Sequence, residues 1–206
     1  MALAGSVTGL VLAGGRGARM GGVDKGLQSF QGTPLAMNAL LRLQLQVGGW
    51  LGASMINANR NLAAYEALGV PVWPDTLDGY AGPLAGFLTG LERCETEWLL
   101  TVPCDSPLFP LDLADRLVKA TDHEGTELAM ACAVEPDGIM RPQPVFTLMH
   151  VGLLESLVAF TQAGGRKIDA WTGQHRCSLV RFDQPHDDPR AFANANTLDE
   201  LRRLES

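Results

Sequence analysis

Three cations, Arg16, Arg19 and Lys25, fall within ten residues of one another in the stretch Gly14-Gly15-Arg16-Gly17-Ala18-Arg19-Met20-Gly21-Gly22-Val23-Asp24-Lys25-Gly26. The chain of 206 residues holds only 16 lysines and arginines and has a formal net charge of −7. Like charges gathered in this way repel one another unless an anion offsets them. Glycine-rich backbone presents bare N–H groups to the same anion, so the loop suits a polyphosphate, and hence a nucleotide. A flexible surface connection has similar glycine content but gives no reason to collect cations. The spelling is not that of a P-loop, because Lys25 follows Asp24 and precedes Gly26, where a Ser or Thr would hold magnesium. A dinucleotide fingerprint fails too, since Met20 stands where the third glycine belongs.

A second chemical group lies in Pro103-Cys104-Asp105-Ser106-Pro107. Two prolines stiffen the turn and hold the Asp105 carboxylate on a rigid scaffold. Asp105 could instead cap the helix expected soon afterwards. Cys104 beside it is a possible nucleophile, but that chemistry needs a general base, and spacing brings none of His123, His150, His175 or His186 to it. In Asn194-Ala195-Asn196-Thr197 the two asparagines, if extended, point to opposite faces. One can cap and the other bind a ligand, or both can serve the turn.

Alternating strands and helices must position these groups. The apolar run Val7 to Leu12 reads as a strand covered on both faces, which puts the glycine loop at a strand's carboxyl end, where open α/β sheets bind ligands. Pro34 opens a helix running to Val47, stopped by Gly48-Gly49. Further strands are expected over 53–57, 70–73, 98–102, 128–134, 143–148 and 177–182. Further helices are expected from Asn61 as cap to Leu68, from Pro83, and over 111–119, 153–162, 167–171 and 198–204. Small residues after Pro83 allow that helix a close approach to its neighbour.

The pattern is α/β, with a mostly parallel sheet and helices on both faces. The length suits one domain over 1–206. Hydrophobic residues at 46% and charged residues at 19% are ordinary globular values that argue against disorder or a membrane protein. The acidic balance argues against a nucleic-acid partner, which would demand a broad basic face. Cys94, Cys104, Cys132 and Cys177 lack zinc-ligand spacing and are expected to be reduced thiols. With no signal-peptide pattern at the start, a cytoplasmic location is expected.

The residues Leu12 to Leu27, matching Leu-Ala-Gly-Gly-x-x-x-Arg-Met-Gly-Gly-x-Asp-Lys-Gly-Leu throughout, resemble the signature of the molybdenum cofactor guanylyltransferases of the MobA type. The resemblance continues in order through Gly32-Thr33-Pro34-Leu35, Asn57-Ala58-Asn59-Arg60, Asp75, Gly82-Pro83-Leu84-Ala85-Gly86, the Asp105 turn and Asn194-Ala195-Asn196-Thr197. Gly14 is alanine in the related cytidylyltransferases, so the spelling favours guanine. Departures are Leu198 in place of a common proline, and Arg141-Pro142-Gln143-Pro144 where a His-Pro pair is frequent.

The resemblance implies one Rossmann-like nucleotidyltransferase domain, with a nucleotide-binding half over about 1–107 and an acceptor-binding half over about 108–206. It implies transfer of GMP from GTP to the terminal phosphate of molybdenum-molybdopterin, with Mg²⁺ as cofactor. Gly14, Gly15 and Arg19 would hold the outer phosphates, and Lys25 would stabilise the reacting one. Asp105 would bind the metal, with Asn196 completing its shell, and Leu12, Ala13, Asn57, Asp75 and Gly82 would line the nucleotide. Arg141, Gln143 and Arg166 are candidates for the acceptor side, and cofactor-assembly proteins or acceptor molybdoenzymes are possible protein partners. Alternatives within reach of the same residues are another CTP- or UTP-dependent nucleotidyltransferase and a non-catalytic GTP-binding module.

Overall fold

A seven-stranded sheet organises the chain in the computed structural model, which describes residues 3–13, 24–77 and 82–205. In chain order its strands are β1 (Val7–Leu12), β4 (Leu51–Asn57), β5 (Val72–Trp73), β6 (Trp98–Pro103), β7 (Leu128–Val134), β8 (Met140–His150) and β9 (Cys177–Phe182). A separate hairpin pairs β2 (Ser29–Phe30) with β3 (Thr33–Pro34). The spatial order is β5-β4-β1-β6-β8-β7-β9. Pairing is parallel throughout β5-β4-β1-β6 and between β7 and β9, and antiparallel where β8 sits between β6 and β7. The sheet is thus mostly parallel, as the alternation of elements predicts.

Helices cover both faces, and β1 shows why. Side chains alternate along a strand, so Gly9 and Leu10 face opposite ways. At Gly9 an added Cβ would lie 2.8 Å from Leu43 of α1 (Leu35–Gln44). On the other face, a Cβ at Gly90 of α3 (Pro83–Arg93) would come within 2.5 Å of Leu10. Both helices press onto β1 where a glycine leaves no side chain in the way. One apolar cluster joins Val7, Val11, Leu40 and Leu43 to Leu113 and Leu117 of α4 (Leu113–Glu124) and on to Phe146 and Phe192. The opposite cluster joins Leu10, Phe87 and Leu99 to Leu157 of α5 (Leu154–Gln162) and Trp171 of α6 (Ile168–Thr172).

Several boundaries differ from those expected. Helix α1 stops at Gln44 because the Val47 N–H turns aside to donate to Leu111 O at 2.9 Å, leaving Leu45 and Val47 exposed beyond the helix. Helix α4 begins at Leu113, not Leu111. Its open N-terminus is met by Gln46, which accepts from the Ala114 N–H and donates to Pro110 O, both at 2.8 Å. Strand β8 runs well beyond 143–148 despite Pro142 and Pro144. Pro142 lies opposite Cys132, beside an irregularity in the pairing where a missing N–H is tolerated. Helix α2 (Leu62–Glu66) is shorter than expected, and Asn61 does not cap it. The short hairpin β2-β3, which turns on Gln31 and Gly32 at φ of 50° and 81°, was not expected from the sequence.

Candidate active site

Register puts the site in place. Trp73, Asn57, Leu12 and Pro103 form one row across β5, β4, β1 and β6 at the carboxyl edge of the parallel strands. Asp75 and Asp105 each follow that row by two residues. The Asp24-Lys25-Gly26 turn, whose single 3₁₀ turn spans Lys25–Leu27, comes back to the same edge.

Lys25 and Asp105 meet there. The Lys25 ammonium donates to Asp105 Oδ2 at 3.1 Å and to Asn196 Oδ1 at 2.7 Å. The side chains of Lys25 and Asp105 are 22% and 19% exposed, so the pair lies partly sheltered yet open to a ligand. Asp105 is not a helix cap: Asp112 holds the N-cap position of α4. The Asp105 turn is fastened to the far end of the sequence, with the Ala195 N–H donating to Asp105 O at 2.7 Å and Ser106 Oγ donating to Asn194 Oδ1 at 2.6 Å. The two asparagines do divide their work, one to Ser106 and the other to Lys25, and neither caps the closing helix α7 (Leu198–Glu205). Thr197 and Glu200 form a capping box there. Thr197 Oγ1 accepts from the Glu200 N–H at 3.1 Å, and Glu200 Oε2 accepts from Thr197 N–H at 3.1 Å and from Asn196 N–H at 2.7 Å.

A second constellation lies along the β4-β5 side of the row. Buried Asn57 donates to Asp75 Oδ1 at 2.9 Å and to Trp73 O at 3.1 Å. Asn59, which spacing gave no role, donates to Asp75 Oδ2 at 2.8 Å and accepts from the Asp75 N–H at 2.8 Å. Each Asp75 oxygen therefore has a fixed direction and a spare lone pair. The first turn of α3 closes this end: a Cβ on Gly86 would sit 2.5 Å from Leu12 and 2.7 Å from Asn57 Oδ1. Gly82, at φ 142°, precedes that turn in a conformation natural only to glycine. Ala13, buried at the end of β1, donates its N–H to Asn57 O at 2.8 Å. Leu12, Ala13, Asn57, Asp75 and Gly82 are thus brought to one region, with Lys25, Asp105 and Asn196 beside it. Gly14, Gly15, Arg16 and Arg19 lie outside the described residues.

Burial of Cys104 argues against a nucleophilic role. Burial pushes its thiol far above the ordinary range, the neighbouring carboxylates of Asp105 and Asp24 push it further, and Lys25 only partly opposes them. All four cysteines are free. On the β7-β8 hairpin, Arg141 is committed to Glu135 at 2.6 Å and to Asp137 at 2.7 Å.

A model of the family described as MobA-like NTP transferase domain matches residues 9–178. The chain belongs to that family. Among similar proteins, the molybdenum cofactor guanylyltransferase of Acidovorax ebreus (strain TPSY) is 69% identical over 204 residues, covering 97% of this chain and 95% of that protein. The one from Bordetella pertussis (strain Tohama I) is 60% identical over 200 residues, covering 97% of each. Molybdopterin-guanine dinucleotide biosynthesis protein A from Archaeoglobus fulgidus superposes with a TM-score of 0.75 at 19% identity over 96% of both chains. That solved structure shares the fold described above.

Proposed function

We propose that this MobA-like transferase moves GMP from GTP to the terminal phosphate of molybdopterin, releasing pyrophosphate. The observation that carries the reading is Lys25 Nζ held between Asp105 and Asn196 at the ligand-binding edge of the sheet. A phosphate nucleophile is ionised at neutral pH, so the reaction needs no general base. What it needs is two anions brought together and charge on the transferring phosphoryl neutralised. Lys25 is the cation for that task, and Arg19 with the Gly14 and Gly15 amides would serve the outer phosphates. The paired oxygens of Asp75, each oriented by an asparagine, suit the adjacent ring N–H and amino donors of guanine. Their selectivity over cytosine follows, since a site built around specific donors is left unpaired by the wrong base.

The donor set also fits Mg²⁺. Asp105 Oδ2 and Asn196 Oδ1 converge on one cationic centre, and hard oxygen donors, a carboxylate among them, are what that ion takes. When bound, the metal would supply charge neutralisation at phosphate oxygens. The chain's own residues do the rest: they orient the base at Asp75, fix the triphosphate, and bring the Lys25 charge to the reacting centre. A cytoplasmic site of action belongs to the same proposal and agrees with four reduced thiols. So does contact with proteins that deliver or receive the cofactor. Among the described residues no helix is long and apolar enough to cross a membrane.

Pyrophosphate release from GTP or CTP by the purified protein with molybdopterin and Mg²⁺ tests the reading. GTP is expected to be the productive nucleotide, and Lys25→Ala or Asp105→Ala each to lower turnover by about 10²- to 10³-fold. Full turnover by either variant, or GTP binding with no pyrophosphate released, would refute it.

A further inference from the structure

Asp24 precedes Lys25 and is 9% exposed. Its carboxylate is gripped on both oxygens, from within α2 and from the residue just before it. Tyr65 Oη donates to Oδ1, and the Asn61 side chain donates to Oδ2 at 2.9 Å. Asn61 immediately precedes α2 and Tyr65 lies in its fourth position, so one short segment supplies both donors. The Gly26 N–H closes the set by donating to Asp24 Oδ1 at 3.2 Å. These bonds fix the residues on either side of Lys25.

Two features say that this grip was built for the turn. Tyr65 is fully buried, and its hydroxyl passes so close to the Gly26 backbone that any side chain there would overlap it. Burial, and then the bond to Asp24, hold the phenol in its protonated form, so it remains a donor. Asn61 meanwhile adopts the left-handed conformation at φ 50° and gives no cap bond to its own helix, spending its amide on Asp24 instead. Asp24, Lys25 and Gly26 thus have separate jobs: anchor, charge and clearance.

We infer that Tyr65 and Asn61, acting through Asp24, are positioning residues that hold the Lys25 ammonium at the reacting phosphate. This rests on the role proposed for Lys25. The lysine has a long, rotatable stem, and only a fixed backbone brings its tip to one point with regularity. A misplaced catalytic group costs rate while ground-state binding through the other contacts persists.

The test is a double-mutant cycle on Tyr65→Phe and Lys25→Ala, with pyrophosphate release measured at saturating GTP and molybdopterin. Tyr65→Phe keeps the ring in its pocket and removes only the hydroxyl. It is expected to lower kcat by about tenfold with KM for GTP changed less than about twofold. In the Lys25→Ala background the same change should cost nothing further, because there is no ammonium left to position. Asn61→Gly, at an exposed site whose φ suits glycine, should show the same pattern and stands in if Tyr65→Phe does not fold. Losses that multiply, or full kcat in both positioning variants, would overturn the inference while leaving the function intact. Full turnover by Lys25→Ala would instead remove the function reading itself.

Discussion

Gly26 is the residue with least freedom in the site. It is buried, and a methyl group there would run into the hydroxyl of Tyr65, whose ring is enclosed on all sides. Gly26→Ala is therefore expected to destabilise the protein by about 1–3 kcal/mol, as overpacking does, seen as a lower urea midpoint, and to slow pyrophosphate release as well. An unchanged midpoint would mean the turn can yield. Part of this scale was legible in the sequence: the Lys25 loop and Asp105 follow strands, and parallel strands bring such residues to one edge. Asn57 and Asp75, by contrast, came into view only through the family resemblance. The partners were not legible. Tyr65 reads as an apolar position of an amphipathic helix, and no periodicity tells that its hydroxyl reaches across 41 residues to Asp24. Asn61 was misread for a related reason. An Asn before a helix looks like a cap whether its amide turns inward to the helix or outward to another segment.

Elements were recovered to the degree that they bury a face. Strands β1, β6 and β7 announce themselves as apolar runs, and α1 buries the stripe Leu35, Ala36, Ala39, Leu40 and Leu43. The hairpin β2-β3 left no trace because two-residue strands have no period. Strand β8 extends past the expected 143–148 because its pairing with β7 continues through Pro142, opposite Cys132 and beside an irregularity. At the other end of the site, α7 does more than close the fold: its capping box also holds the Asn196 backbone. Glu200→Ala is expected to cost about 1 kcal/mol of stability, the usual worth of a helix cap. It should also raise the Mg²⁺ concentration needed for half-maximal rate, because Asn196 loses its tether. A lower melting temperature with an unchanged Mg²⁺ requirement would assign Glu200 to stability alone.

Over the whole molecule, the halves expected to bind nucleotide, about 1–107, and acceptor, about 108–206, share one interior. The larger core cluster takes Val7, Leu40 and Ile56 from one half and Leu117, Phe146 and Phe192 from the other. Arg42 donates from its Nε to Phe109 O at 2.8 Å across the same boundary. Fragments 1–107 and 108–206 made separately are expected to show no cooperative thermal transition by circular dichroism, since each would expose half of a shared interior. A sharp transition in either one would establish it as an autonomous domain.

The contact between Lys25 and Asn196 joins segments 171 residues apart in sequence, and the turn bearing Asp105 is pinned to the same late stretch. Such distant encounters are penalised by loop closure until the intervening chain is ordered. A renaturing molecule can therefore complete its sheet and still lack a finished pocket. Nucleotide added during that process would reward only those chains that had brought their two extremities together, making substrate a selector of correctly assembled protein before it is ever consumed.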